Sequence, residues 1–121
     1  MRNYFVTILF SIVSANTYAL GLRTGTDVLI ACQTTKDVLA GKSSDSKGAE
    51  ACIHFLMGFD SGQTIPSLLV EQPEIYCQPD GTNIGKMVTS VVDGIQGDSS
   101  YHNAPAGVAV WKALATAWPC E

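Results

Sequence analysis

Long apolar segments are the first thing this 121-residue chain lacks. Its longest such run, Tyr4 to Val13 (YFVTILFSIV), is about half of what a membrane-spanning helix needs. Basic residues are scarce, with 7 Lys+Arg against 11 Asp+Glu and no cluster among them, which argues against nucleic acid as a partner. Only two histidines occur, His54 and His102, so acid–base and metal chemistry have little material. No stretch alternates apolar and polar residues as a half-buried strand would. There is no internal repeat and no linker-like segment, which leaves a single domain.

What is present begins with a leader. Arg2 precedes the apolar run, and Thr17-Tyr18-Ala19 forms a small-x-Ala cleavage site. Residues 1–19 therefore read as a secretory signal peptide, with 20–121 as the mature domain and Leu20 as its first residue. No cysteine follows that site directly, which argues against a lipoprotein. Loss of Arg2 makes the formal charge of −4 one unit more negative. All four cysteines, Cys32, Cys52, Cys77 and Cys120, lie in the mature part. An even count in an exported chain of this size reads as two disulfides in a periplasmic or extracellular setting. A domain this small buries a limited core and gains from such staples.

The stretch from Cys77 to Cys120 organises the rest. Ile84, Met87, Val88, Val91, Val92 and Ile95 recur at helical period, after an Asp80-Gly81 turn and with Thr82 as the expected cap. Pro105 suits the first turn of a second helix, with Asn103 or Ala104 as its cap. Val108, Trp111, Leu114, Ala115 and Trp118 are read as its apolar face, and Pro119 ends it. Two helices on a short connection run antiparallel, so Cys77 and Cys120 lie at one end and a disulfide between them closes the hairpin.

Upstream, Thr26 is the expected cap of a helix from about Asp27 to Ala40, with Val28, Leu29, Cys32 and Leu39 on one stripe. The polar run Gly41 to Gly48 is a loop. A helix from about Ala49 to Gln63 follows, burying Ala51, Cys52, Phe55, Leu56 and Phe59. Gly58 and Gly62 would admit another backbone at close range. Ile65 to Tyr76, broken by Pro66 and Pro73, stays undecided between helix and extended chain. Four cysteines allow three pairings; Cys32–Cys52 with Cys77–Cys120 is favoured, since each then clips one helical hairpin. The expected fold is all-α: a four-helix domain of two stacked hairpins.

Catalysis finds little support. Cys52 and His54 are two apart and so point in different directions on a helix, and a disulfide would consume the thiolate. Asp98, Ser99, Ser100 and His102 share a loop without any device to align a triad. Asp80 to Asn83 lacks the spaced carboxylates of a calcium loop. No enzyme activity, cofactor or metal is expected. Trp111 and Trp118 read as core residues. The alternative is a carrier holding an apolar ligand between Trp118, Phe55, Phe59 and Met87.

Several motifs together carry a resemblance: Leu29-Ile30-Ala31-Cys32, Cys52-x-x-Phe55-x-x-Gly58-Phe59, Cys77-x-Pro79-x-Gly81-Thr82, Lys86-Met87-Val88-x-x-Val91-Val92, and Ala113-Leu114-x-x-Ala117-Trp118-Pro119-Cys120. The chain resembles the Rap/Tai family of type VI secretion immunity proteins, which includes the amidase immunity proteins. Two departures are His54-Phe55, where Gly-Tyr is usual, and the absence of proline in Gly97-Asp98-Ser99-Ser100. The resemblance implies a helical periplasmic protein, often a homodimer, that binds an injected cell-wall hydrolase and blocks its active-site groove. Exposed polar segments are then the expected contacts: Glu71, Gln72 and Glu74 before Cys77, and Asp98, Tyr101 and His102 between the last helices.

Overall fold

A computed structural model describes residues 21–121. The signal-peptide reading lies outside the described residues. Those residues form four α-helices and one short 3-10 turn, with no strand among them. The helices are α1 (Gly25–Leu39), α2 (Ser46–Val70), α3 (Ile84–Gly97) and α4 (Ala106–Ala117), with the turn at Ser99–Tyr101. Both expected disulfides are present, Cys32–Cys52 and Cys77–Cys120. The α1–α2 and α3–α4 hairpins stack through α1, which packs against each of the other three helices.

α1 starts earlier than its sequence signal suggested. Thr24, not Thr26, is the cap: its hydroxyl accepts from the Asp27 N–H at 3.3 Å. The Asp27 carboxylate accepts in return from the Thr24 and Arg23 N–H groups, at 2.9 and 3.0 Å. This reciprocal box satisfies donors that a helix end leaves free. Two residues offered the same cap chemistry, and the one with an acid three places on was selected. At the other end Leu39, placed on the buried stripe by periodicity, is exposed.

α2 is longer than expected at both ends. Asp45 caps it by accepting from Gly48 N at 3.1 Å, and the helix then runs through Pro66 to Val70. Proline removes one backbone donor and crowds the carbonyl four residues back. Thr64 and Ser67 hydroxyls donate to nearby carbonyls in that region, at 2.9 and 2.8 Å. Glu71 ends the helix in the left-handed conformation, φ 54°. Gly58 and Gly62 receive no other backbone among the described residues; a Cβ added at either would meet nothing within 4 Å.

α3 follows its pattern, with Met87, Val88, Val91, Val92 and Ile95 buried, although Asn83 rather than Thr82 caps it. Burying five such side chains contributes about 1.5–3 kcal/mol each before entropy is subtracted. α4 corrects the sequence reading most. Its buried residues are Ala106, Ala109, Val110, Ala113 and Leu114, while Val108 and Trp111 are exposed. The reason is close approach. A Cβ on Gly94 of α3 would stand 2.6 Å from the Ala113 Cβ, so only small residues fit between these helices. The large side chains of α4 are displaced to the rim.

Candidate partner-binding surface

The two exposed segments singled out in the sequence lie on either side of α4. Successive residues of a helix are turned by about 100°, so Trp111 and Lys112 point to opposite sides of its outer face. The Trp111 indole donates to the Ile75 carbonyl at 3.3 Å, which holds the segment 71–77 along one side. The Lys112 ammonium lies 5.6 Å from the Tyr101 ring centroid, which holds the α3–α4 connection on the other. A cation over an aromatic face is attracted by the ring quadrupole. Val108 and Ala115 occupy the middle.

The segment 71–77 is a strap fixed at several points. Tyr76 is buried, its ring stacked on Phe59 at 6.2 Å and tilted against Trp118 at 6.3 Å. Its hydroxyl donates to Asp60 at 2.7 Å. Burial, and then the bond to Asp60, push the phenol pKa well above its ordinary value. Ile75 N–H donates to the Gln63 side chain at 3.1 Å, Cys77 N–H to the Trp118 carbonyl at 2.9 Å, and Cys77 is bonded to Cys120. With its apolar anchors turned inward, the strap leaves Glu71, Gln72 and Glu74 exposed.

The connection on the other side is equally tied. Asp98 accepts from Ser100 N at 2.9 Å, and hydrogen bonds from the Ser100 side chain and backbone hold its carboxyl below the usual carboxylate range. The Tyr101 carbonyl sits where a Cβ on Gly25 would be, so α1 must begin with glycine there. The His102 carbonyl accepts from the Thr26 N–H and hydroxyl, at 3.0 and 3.1 Å. Gly25 N–H donates to Ala104 O and Ala106 N–H to Arg23 O, at 2.9 and 2.8 Å. The loop is thus a preformed part of the α1–α4 junction.

The same contacts occupy the groups whose chemistry was weighed from sequence. The His102 Nε2 lies 3.1 Å from the Ile95 carbonyl, which only accepts, so this nitrogen carries a proton and is no base toward a serine. Cys52 is bound to Cys32, and His54 is exposed. Asp80 to Asn83 is a turn, with Gly81 at φ 73° and the Thr82 hydroxyl donating to Pro79 O at 2.6 Å. Glu74 does sit beside Cys77 and Cys120, yet both sulfurs are in a disulfide and offer no thiolate to a metal. The apolar pocket drawn for a carrier is not assembled either. Trp118 lines a surface hollow of about 510 Å³ with Thr82, Asn83, Lys86, Thr89 and Ser90, while Met87 is buried in the core. Phe59 lines a different groove, with Gln63, Pro66 and Ile75.

A model of the Rap1a immunity proteins family matches residues 24–120. The chain belongs to this family. The match runs from the cap of α1 to the last cysteine, so it takes in both disulfides, the strap and the α3–α4 connection. No curated protein and no solved structure matches the chain. Membership in the Rap1a family gives the protein an immunity role and, with it, a cognate effector as its partner. The two disulfides fit the oxidising environment of an exported protein. No described helix is long and apolar enough to cross a membrane.

Trp111 and Lys112 are the residues of this candidate surface that sequence reasoning misses. Helical spacing places Trp111 on the buried face of α4 with Trp118, and gives no signal for Lys112. The one available signal is the spacing of alanines at 106, 109 and 113, which marks the close-packed side of α4 and so places Trp111 opposite.

Proposed function

We propose that this chain is a periplasmic immunity protein that binds a type VI secretion effector and occludes it without turnover. The effector is a peptidoglycan-cleaving amidase, and the immunity protein acts as a homodimer after signal-peptide removal. One observation carries the reading. The acidic strap and the α3–α4 connection are both anchored from below, so Glu71, Glu74, Asp98 and Tyr101 are displayed on a rigid support around α4. A preformed surface loses little conformational entropy on binding. Its aromatic groups, Trp111 and Tyr101, are of the kind that anchors interfaces, and its carboxylates complement a cleft with basic walls.

The test is inhibition of the cell-wall hydrolase encoded beside this chain. Activity should fall to background at an equimolar ratio, with no loss of the immunity protein. Combining Glu71→Lys, Glu74→Lys and Asp98→Lys should raise the inhibition constant about 10- to 100-fold, mainly through slower association. Full inhibition by that variant would remove these two segments from the interface. Failure of the unmodified protein to bind any such hydrolase would remove the amidase reading.

A further inference from the structure

Among the described residues, the outer face of α2 has no partner. Met57, Ile65, Leu68 and Leu69 are exposed there to 57, 56, 76 and 76%. They lie on one side of the helix by period, together with Gly58 and Gly62, where an added Cβ would meet no described neighbour within 4 Å. From Ser61 to Val70 there is no charged residue, and the neighbouring Asp60 accepts from the buried Tyr76 hydroxyl.

We infer that a second copy of this chain docks on this face, α2 against α2, about a two-fold axis. The inference rests on the homodimer reading given above and adds the surface that makes it. Three considerations select this occupant. The first is charge: each exported copy is one unit more negative than the formal −4 of the full chain, so self-association is favoured only where the meeting surfaces hold no like charges. This uncharged stretch of helix satisfies that condition, whereas the strap and Asp98 would repel themselves. The second is area. Met57, Ile65, Leu68 and Leu69 each leave roughly 100–150 Å² exposed, and burying them in both copies removes about 1,000 Å², the least that a specific interface needs. The third is shape. Gly58 and Gly62 leave a shallow channel along the helix into which the Leu68 or Ile65 side chain of the other copy fits, as ridges fill grooves between packed helices. A hydrolase cleft that holds a polar polymer presents polar groups, which an uncharged apolar helix would leave without partners.

The oligomeric state of the exported, disulfide-bonded protein tests this. Sedimentation equilibrium at micromolar concentrations should give a dimer. Leu68→Glu and, separately, Ile65→Glu should each raise the dissociation constant about 30-fold or more, because each places two like charges at the axis. Both positions are exposed in one copy, so helicity and melting of the separated chains should not change. Lys42→Glu, in the loop between α1 and α2, should leave the dimer intact. An unmodified protein that stays monomeric overturns the inference and the homodimer reading together. A dimer that survives both α2 variants overturns the inference alone.

Discussion

The two disulfides close hairpins of the same kind and do different work. Cys32 and Cys52 join α1 to α2 and are both fully buried. Cys77 and Cys120 join the irregular strap to the chain end, with Cys77 half-buried and Cys120 exposed. The first is a piece of the core that happens to be covalent. The second is a latch on a segment that Tyr76, Trp111 and the Cys77 N–H already hold. Position, rather than loop length, should then decide what each bond contributes.

Replacing each pair in turn separates these ideas. The sequence separations are 20 and 43 residues. Loop-closure entropy alone assigns about 3.3 kcal/mol to the shorter loop and about 4 to the longer. The buried pair also fills space, and two sulfurs lost from a tight core cost about 1–2 kcal/mol more. Cys32→Ala with Cys52→Ala should therefore be the more damaging change, at about 5 kcal/mol in urea unfolding. Cys77→Ser with Cys120→Ser should cost no more than about 4. The reverse order would mean that the strap, not the core, limits stability.

Tyr76 sharpens the comparison from the other side. Tyr76→Ala removes a buried ring between Phe59 and Trp118 and should cost about 3–4 kcal/mol with the latch intact. Tyr76→Phe keeps the ring and loses the bond to Asp60, about 1.5 kcal/mol. The raised phenol pKa adds a pH signature. The neutral phenol is favoured in the folded state, so this stability is complete below the ordinary value of 10.0 and is lost as pH rises above it. Unfolding midpoints of the unmodified protein should fall at alkaline pH more steeply than those of Tyr76→Phe.

How much of this was legible beforehand depended on which signal each residue carries. α3 was readable because its large apolar residues repeat at helical period and are also its buried ones. Both disulfides were readable because antiparallel hairpins bring those cysteines together. α4 misled because two apolar faces share helical spacing, and the one carrying Val108 and Trp111 is not the buried one. Its contact with α3 is made by alanines against Gly94, so the tryptophan ended at the rim, where its N–H reaches Ile75. α2 misled because Pro66 and Pro73 left the stretch from Ile65 to Tyr76 undecided between helix and extended chain. The helix passes through Pro66, and the strap that follows depends on Tyr76, whose contacts with α2 and α4 no local pattern reveals. The candidate surface was legible as two segments but not as one, since the side chains joining them, Trp111 and Lys112, take their meaning from the phase of α4.

That phase can be tested through Gly94. An alanine there would overlap Ala113, whose Cα is also only 2.9 Å from the added Cβ. Backbone cannot yield as a flexible side chain would, so Gly94→Ala should cost about 2 kcal/mol despite its better helix propensity. Gly58→Ala, on the open face of α2, should instead stabilise the separated chain by about 0.5–1 kcal/mol. A neutral Gly94→Ala would mean that α4 has room to rotate and that the displayed face is not rigid.

A small effect is also expected at the junction beneath the α3–α4 connection. Thr24 caps α1 and also makes a bridge to Pro105, so α1 and the start of α4 share one seam. Thr24→Ala loses the cap bond and should cost about 1 kcal/mol. The backbone ties from Gly25 to Ala104 and from Arg23 to Ala106 remain, so the loop carrying Asp98 should stay in place. Acid acts on the same seam. Hydrogen bonds from the Thr24 and Arg23 backbone hold the Asp27 carboxyl below its ordinary 3.8. A depressed folded value means this contribution is present above that pH and is lost as pH falls through the folded value. Asp27→Asn should therefore flatten the decline in stability below pH 4 while leaving effector inhibition at neutral pH unchanged. If inhibition fell with it, the cap would belong to the binding surface as well as to the fold, and the division between buried staple and displayed latch would not extend to this end of the molecule.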